Sequence, residues 1–371
     1  MNNKVGIVQC GSYDPERLYT ALKAAAQAAD PPDVKGKTVL LKPNILMDAV
    51  PEKAITTHPA FCEAIIRLVR EWGVSRIFIG DSPGLQGPNF SPRLSGLSEV
   101  ISKNEVEWVD FTKGKMELEC PNGKVHRCFS VCGILKEVDL VINLPKLKTH
   151  QLMYYTGAMK NIFGLIPSVA KSPFHVRYPS REAFASMIVD LNLLNKPVYS
   201  FMDAVIGMEG AGPAAGSPKQ IGLILASSNI LAIDVAACII VGYPPSKIPI
   251  NREALERQVW LNNFSDIEYP LLQPEESKIQ DFVKIHFKKS SNQLLDFLIP
   301  KPFRKLRETL NPVPEINHKI CVLCGDCMKI CASEAISIMG EGDLKQMVLD
   351  KQRCIRCYCC HEICPSNAMD I

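Results

Sequence analysis

The residues CVLCGDCMKIC (321–331) and CIRCYCCHEICP (354–365) decide the fold of the C-terminal end of this chain. Both runs space their cysteines as Cys-x2-Cys-x2-Cys-x3-Cys, and a shift of 33 residues lays Cys321 on Cys354. Three cysteines three residues apart can wrap a tight loop around a cubane cluster, whereas the fourth opens a short helix that leads away. The repeat therefore predicts two half-modules related by a pseudo-two-fold axis.

This spacing is that of bacterial ferredoxins, which hold [4Fe–4S] clusters and in which the fourth cysteine of each run ligates the other cluster. We therefore predict a small α+β ferredoxin-like module with two [4Fe–4S] clusters. The first cluster would have the ligands Cys321, Cys324, Cys327 and Cys364. The second cluster would have the ligands Cys354, Cys357, Cys360 and Cys331.

The cysteine runs leave some alternatives open. Cys-x2-Cys pairs also bind zinc, although eight cysteines in two such runs exceed what four-ligand zinc sites need. Proline follows only the second run, because Ala332 takes that position in the first. Cys359 lies on Asp326 in the repeat and is a spare cysteine. It is either a small buried side chain or an alternative ligand or reactive thiol.

Composition places the chain among ordinary globular proteins. Its 371 residues are enough for two or three domains, and its 47% of hydrophobic residues suffice for a sizeable core. The formal net charge of +3 gives no indication of nucleic-acid binding. No apolar run reaches the length of about eighteen residues that a membrane span needs, and no signal peptide is recognisable. We therefore expect no transmembrane segment and a reducing, cytoplasmic location.

Residues 1–250 alternate short apolar runs with helical stretches. The expected helices cover residues 59–72 and a segment from about residue 232. The expected strands are 39–41, 75–80, 138–144, 198–203 and 221–226. This alternation predicts an α/β fold with a large, mostly parallel sheet. Ligands of such sheets bind in the loops at the carboxyl ends of the strands.

Polar side chains follow four of these strands. If the strand ends converge, their cations could hold a carboxylate or phosphate, and their carboxylates could serve a metal or a proton transfer. The predicted site consists of Lys42, His58, Asp81, Lys146, Lys148, His150, Lys160, Asn161 and Asp203. The alternative is that these are solvated lysines and common turn residues, but residues 146–161 hold more polar groups than turns require.

Residues 210–216 are rich in glycine, yet they lack the G-x-G-x-x-G spacing of a dinucleotide-binding loop, and a strand is expected to follow them. A Walker A sequence is also absent. We expect a flexible loop over the site instead. No motif demands a flavin or a second metal, although either would make the large domain an enzyme.

Several short segments of the large domain together resemble the signature of domain-of-unknown-function family 362, over about residues 4–245. These segments are KPN (42–44), THP (57–59), GDS (80–82), PKLKTH (145–150), KN (160–161) and Asp203. The resemblance implies an α/β domain that is often followed by a two-cluster ferredoxin module, and it implies a redox role. It supplies no substrate.

A basic segment connects the two parts. Residues 281–310 carry seven Lys or Arg and three acidic residues around an apolar stretch, a pattern that suits peripheral contact with an anionic membrane or with an acidic redox partner. The alternative is an exposed connector that packs its apolar face on the main domain. The predicted boundaries are 1–250 for the α/β domain, 251–316 for the connector and 317–371 for the ferredoxin module.

Three functions fit these features. The first is electron transfer, in which the clusters pass single electrons to or from a redox partner protein. The second is an oxidoreductase, in which the tethered clusters reduce a small anionic substrate or cofactor in the large domain. The third is a structural or sensory role for the clusters.

Overall fold

The large domain contains one mixed sheet. The computed structural model describes residues 2–85, 90–193, 198–286 and 312–371. The strands of the domain, in chain order, are β1 (Gly6–Gln9), β2 (Thr38–Pro43), β3 (Arg76–Ile79), β4 (Glu107–Trp108), β5 (Lys115–Glu119), β6 (Cys128–Cys132), β7 (Leu140–Leu144), β8 (Lys146–His150), β9 (Tyr154–Thr156), β10 (Val198–Glu209) and β11 (Ser217–Ser227). Its helices are α1 (Pro15–Ala28), α2 (Pro59–Glu71), α3 (Leu97–Lys103), α4 (Ala158–Asn161), α5 (Ser172–Arg177), α6 (Arg181–Asn192), α7 (Ile230–Ile240) and α8 (Pro249–Glu256).

Among the described residues the sheet has nine strands, with the order β1-β11-β10-β7-β2-β3-β4, and β8 joins β10 beside β9. The strands from β10 through β7, β2 and β3 to β4 are parallel, whereas β1, β11 and β9 pair antiparallel with their neighbours. Strands β5 and β6 form a separate hairpin. The prediction of an α/β fold with a mostly parallel sheet is therefore confirmed.

Helices cover both faces of the sheet because the central strands are apolar on both faces. In β2, Leu40 belongs to the core beneath α6 and α7, and Leu41 belongs to the core beneath α1 and α2. This follows from the period of two along a strand. Each such side chain contributes about 2 kcal/mol when it is removed from water, so both faces must be covered, and the strand ends remain open for polar residues.

The C-terminal module consists of two short antiparallel pairs and two short helices. Strand β12 (Glu315–Ile316) pairs with β15 (Met369–Asp370), and β13 (Ile336–Met339) pairs with β14 (Gln346–Leu349). The helices are α9 (Asp326–Ile330) and α10 (Cys359–Ile363). The residues before them, Gly325 and Tyr358, have positive φ, which turns each cysteine loop sharply into its helix. Equivalent parts recur in both halves, as the repeat predicts.

The described part of the connector lies against the large domain. Helix α8 runs across residue 250, and Trp260, Ile267 and Phe282 belong to the core beneath α6 and α7. The basic residues from 287 onward, on which the membrane prediction depends, lie outside the described residues. In the ranges that the structure covers, no helix is long and apolar enough to cross a membrane.

Candidate functional site

Two of the predicted strand ends meet in a buried ion pair. Lys42 at the end of β2 donates from Nζ to Oδ1 of Asp81, which follows β3, over 2.7 Å. Both side chains are almost fully buried. Oδ2 of Asp81 accepts from the backbone N–H of Ile45 at 2.6 Å. Gly164 packs against the pair, because a Cβ at that position would lie 2.5 Å from Lys42 Nζ.

Asn161 joins this pair from α4. Its Oδ1 lies 3.4 Å from Lys42 Nζ, and its Nδ2 donates to the carbonyl of Lys42 at 3.2 Å. The helix begins where the Asp234 carboxylate accepts from the backbone N–H groups of Ala158 and Met159. Burial raises the pKa of Asp234 to about 7. Asp234 thus holds the short turn that carries Lys160 and Asn161 towards the strand ends.

A second group of predicted residues forms a separate network. Lys146 and Asp203 are opposite each other on β8 and β10, and Lys146 Nζ donates to Asp203 Oδ2 over 2.8 Å. The Tyr13 hydroxyl donates to Asp203 Oδ1 and accepts from Lys146 Nζ, both at 2.8 Å. The Tyr13 ring stacks on His58 with centroids 3.6 Å apart, and burial lowers the pKa of His58 to about 4.

This second network has its hydrogen bonds made within the protein. The backbone N–H of His58 donates to Asp203 Oδ2 at 3.0 Å, and the Nδ1 atom of His58 accepts from Ala60 at the start of α2. The nine predicted residues therefore do not all converge, because Lys146, Asp203 and His58 are occupied with one another. Tyr13, which no sequence motif singled out, completes their network.

Lys148 and His150 lie between the two groups. Lys148 donates from Nζ to the carbonyl of Ile55 at 2.7 Å, and burial lowers its pKa to about 7. His150 accepts at Nδ1 from the backbone N–H of Leu152. Burial lowers the pKa of His150 far below its usual value, so the ring is neutral with its proton on Nε2. That atom lies 3.2 Å from Glu362 Oε1 of the C-terminal module.

A cavity that is partly open to solvent lies between the first group and the C-terminal module. On one side it is lined by Lys42, Asp81 and Asn161, together with the predicted residue Lys160. On the other side it is lined by Ile330, Cys359, Glu362 and Ile363 of the module. The module thus completes the wall of a site that the large domain begins.

Three lysine side chains, those of Lys42, Lys160 and Lys171, line this cavity. Lys171 donates to the carbonyl of Ser82, and burial lowers its pKa to about 7. Burial also lowers the pKa of Lys160, opposed by the negative charge of Glu362. Among the described residues Lys160 forms no ion pair within 4.0 Å, whereas Lys42 is paired with Asp81. The lining therefore holds three lysines and two carboxylates, those of Asp81 and Glu362.

Unpartnered polar atoms gather around the same cavity. Four residues that line it have a buried polar atom without a hydrogen-bond partner in the described structure. These atoms are Asn44 Oδ1, Ser82 Oγ, His175 Nδ1 and Glu362 Oε1. Although Glu362 Oε1 and His150 Nε2 approach within 3.2 Å, neither has hydrogen-bond geometry, so the contact is an approach and not a formed bond. Unpaired buried polar groups are rare and indicate a missing partner.

Several residues that line the cavity belong to no sequence motif. Lys171 and His175 come from the segment around α5, which shows no motif. Burial lowers the pKa of His175 to about 3, so its imidazole is neutral and can donate or accept at Nδ1. Glu362 lies within the second cysteine run but is not a predicted ligand. Only the uneven spacing of polar residues along 160–175 could have indicated this wall.

The first cysteine loop encloses a small cavity. Its lining includes four cysteines, which are Cys321, Cys324, Cys327 and Cys364. The backbone N–H of Ala368 donates to Cys364 Sγ at 3.1 Å, and that of Ala335 donates to Cys331 Sγ at 3.2 Å. Such N–H groups stabilise thiolate ligands. No three Cys, His, Asp or Glu side chains in the described ranges are placed to hold a metal ion.

The spare cysteine faces the interdomain cavity. Cys359 packs with Ile330 and Ile363 against Met47 and Leu85 of the large domain. Its thiol interacts with that of Cys357, and this interaction and burial raise the pKa of Cys359 well above its usual value. Cys359 thus lies between a predicted cluster ligand and the lysine-lined cavity, as a neutral buried thiol.

Together these features define the class of protein, an α/β domain whose polar strand ends are covered by a ferredoxin-type module. Residues 39–239 match a family described as Domain of unknown function (DUF362), which covers more than half of the chain, so this protein belongs to that family. Residues 320–368 match the 4Fe-4S dicluster domain. The module therefore binds iron–sulfur clusters and has an electron-transfer role.

Three known proteins are similar to this chain in sequence or in structure. The Thylakoid-associated protein sll1697 of Synechocystis sp. is 29% identical over 290 residues, which are 76% of this chain and 88% of the relative. A protein from Thermotoga maritima superposes with a TM-score of 0.39 at 11% identity, over 62% of this chain and 59% of that chain. The lactate racemase apoprotein from Thermoanaerobacterium thermosaccharolyticum gives 0.41 at 12% identity, over 64% and 56%. This chain spans less than two thirds of either solved chain, and the likeness carries no functional argument.

Proposed function

We propose that this protein is an oxidoreductase in which the C-terminal module delivers single electrons to a small anionic acceptor in the interdomain cavity. One observation carries the proposal: Cys359, Ile330 and Ile363 of the module line the same cavity as Lys42 and Lys160 of the large domain. An acceptor bound by these lysines would touch residues that lie within the two cysteine runs.

Two [4Fe–4S] clusters are part of this proposal, with the ligands predicted from the spacing. The first four ligands line one cavity. The charges of Cys357 and Cys331 are among the causes that raise the pKa of Cys354, after burial, which supports their grouping around a second cluster. When bound, such clusters supply one-electron transfer. The residues of the large domain would bind and orient the acceptor.

The lysines have different tasks in this proposal. Lys160, without an ion pair in the described structure, would bind the anionic group of the acceptor. Lys42 is held rigidly by Asp81 and would add a second positive charge. Lys171, with a pKa of about 7, can hold or release a proton at Nζ near neutral pH, so it would supply the proton that a reduced acceptor takes up. The apolar side chains Ile330 and Ile363 would limit the access of water.

A redox partner protein is also proposed, at the opposite end of the module. Cys324 is exposed, and Val322 and Leu323 beside it are 65% and 36% exposed. This exposed loop favours a second candidate function, that of an electron carrier between two proteins, in which the large domain only docks. In both functions the donor would approach the first cysteine loop.

The two candidates separate in one experiment. The anaerobically purified protein is analysed for iron, sulfide and other cofactors, reduced stepwise, and followed by electron paramagnetic resonance with and without hydrogen phosphate. About eight iron per chain are expected from two clusters. If the cavity adjoins the second cluster, hydrogen phosphate changes the spectrum of the reduced protein, and Lys160→Met abolishes the change. An unchanged spectrum with eight iron would favour the carrier.

A further inference from the structure

The orientation of three asparagine side chains near the cavity follows from their partners. Asn143 Nδ2 lies 3.1 Å from the carbonyl oxygen of Ala158, which can only accept, so Nδ2 donates and Oδ1 of Asn143 must be an acceptor. That oxygen accepts a hydrogen bond from Nδ2 of Asn161 at 2.8 Å. The amide of Asn161 is thereby fixed, because Nδ2 also faces the carbonyl of Lys42.

The orientation of the Asn44 amide follows from that of Asn161. Oδ1 of Asn161 accepts from Nδ2 of Asn44 at 3.0 Å, and Lys42 Nζ lies 3.4 Å from the same oxygen. Nδ2 of Asn44 is therefore committed within the protein. Its Oδ1 is an acceptor without a partner in the described structure, on a residue that lines the cavity. A backbone carbonyl thus determines, through three amides, that an acceptor remains unsatisfied beside the lysines.

We propose that the cavity binds an oxyanion that also carries an O–H or N–H group, and that Asn44 selects for this group by accepting its hydrogen bond. The inference rests on the proposed function, because it assumes that the lysine-lined cavity takes an anion. Lysine side chains by themselves bind any anion of suitable size. An acceptor with no internal donor instead penalises an anion that cannot donate, because two acceptors would then face each other.

Hydrogen phosphate and sulfate are the matched probes for this selection. Both are tetrahedral dianions of similar size near pH 7.5, but only hydrogen phosphate has an O–H group. The lysines should bind both, so a difference in affinity isolates the donor. A site that is built to hydrogen-bond a hydroxyl rejects an analogue without it strongly. We therefore expect hydrogen phosphate to bind at least about tenfold more tightly than sulfate.

The test is isothermal titration calorimetry of the full-length, cluster-loaded protein with each anion. Asn44→Ala should bring the phosphate-to-sulfate ratio of affinities close to one, and Asn122→Ala, at an exposed turn, should keep the wild-type ratio. The wild-type ratio itself tests the proposal even if Asn44→Ala does not fold. Equal binding of the two anions by the wild type would overturn it, as would an unchanged ratio in a folded Asn44→Ala variant.

Lys160→Met distinguishes this failure from that of the proposed function. If both anions bind equally and Lys160→Met weakens both, the anion site stands and the selection by Asn44 is wrong. If neither anion binds to the wild type, both the site and the selection are wrong. If hydrogen phosphate binds the wild type at least about tenfold more tightly than sulfate, and Lys160→Met weakens the binding of both anions at the same ratio, the anion site and the role of Asn44 are both supported.

Discussion

His361 of the C-terminal module lies with its Nε2 atom 3.0 Å from the backbone carbonyl oxygen of Ala211 in the large domain. Its other ring nitrogen, Nδ1, lies 2.6 Å from the carbonyl oxygen of Met369 within the module. The histidine is buried. It therefore connects the second cysteine run to the glycine-rich turn between β10 and β11. That turn also packs on β8, because the backbone N–H of Gly212 donates to Thr149 Oγ1 at 3.2 Å.

The first prediction concerns this contact. His361→Leu should loosen the module from the large domain, because the carbonyl of Ala211 would lose its imidazole partner, at a cost of about 1 kcal/mol. Hydrogen exchange of residues 210–216 should become faster, while iron content stays the same. His318→Leu, at an exposed histidine of the same module, is the control. Unchanged exchange at the turn in His361→Leu would show that other contacts hold the module.

The second prediction concerns Gly164. In Gly164→Ala the new Cβ would lie 2.2 Å from Asp81 Oδ1 and 2.5 Å from Lys42 Nζ, and neither buried group can move aside without breaking the pair. We expect a loss of about 1–3 kcal/mol of stability and weaker phosphate binding. Gly84→Ala is the matched control, because its Cβ would meet Ile363 at an ordinary 3.6 Å. Equal thermal midpoints for the two variants would contradict the role of the ion pair.

The strands of the large domain could be predicted from the sequence, because each strand is determined by a single local segment. The apolar runs that became β2, β3, β7 and β10 indicated the sheet, and polar residues at the ends of β2 and β3 indicated Lys42 and Asp81, whereas Asn161 lies on α4. The cavity was not predictable in this way. It forms where the second cysteine run meets α4 and α5, and its wall depends on contacts between residues far apart in the chain, such as His361 and Ala211.

Some residues predicted for the site do not line the cavity, and the cause again lies in contacts between distant residues. A buried lysine and a buried aspartate at strand ends give the same sequence pattern whether they face a ligand or each other. Lys146 and Asp203 face each other, and Tyr13 occupies the space that a ligand would need. The identity of the third partner, 133 residues from Lys146, decides between these outcomes, and local sequence does not encode it.

The third prediction separates the spare cysteine from the predicted ligands. Cys354→Ser should lower the iron content by about four per chain, because one cubane loses a ligand. Cys359→Ser should retain all iron, because its thiol contacts Cys357 but is not assigned to a cluster. Iron analysis and electron paramagnetic resonance of anaerobically purified variants provide the measurement. If Cys359→Ser lost iron while Cys354→Ser or Cys360→Ser kept all of it, Cys359 would be a cluster ligand. The cysteine whose replacement kept the iron would then not be one.

The fourth prediction concerns pH. Lys148 is buried, and burial lowers its pKa to about 7 in the folded protein from the ordinary value of 10.5. The unfolded chain therefore binds more protons between these two values, and stability should rise with pH across this window, by on the order of 1 kcal/mol per pH unit from this group. Thermal midpoints between pH 7 and pH 9 should rise in the wild type and rise less in Lys148→Met.

An exposed lysine provides the comparison for Lys148. Lys103 has a side chain that is 72% exposed, so Lys103→Met should keep the wild-type dependence of the midpoint on pH. Buried tyrosines, whose pKa values burial raises from the ordinary 10.0, oppose the trend only from about pH 10 upward, outside this range. If the thermal midpoints of Lys148→Met and the wild type change with pH in the same way over this range, Lys148 is protonated in the folded protein. Its positive charge is then balanced by an anion.

The fifth prediction distinguishes the two lysine networks. Lys146→Met would leave the Asp203 carboxylate buried without its ammonium partner, and breaking a buried pair in this way costs about 3–5 kcal/mol. Lys160→Met removes a cation whose pKa burial already lowers and which has no ion-pair partner among the described residues, so stability should be kept or raised. Phosphate affinity should respond in the opposite way, with a large loss in Lys160→Met and none in folded Lys146→Met. Calorimetric titration and thermal unfolding of both variants measure the two effects, and a loss of phosphate binding in Lys146→Met at unchanged stability would place the anion in the Tyr13 network instead.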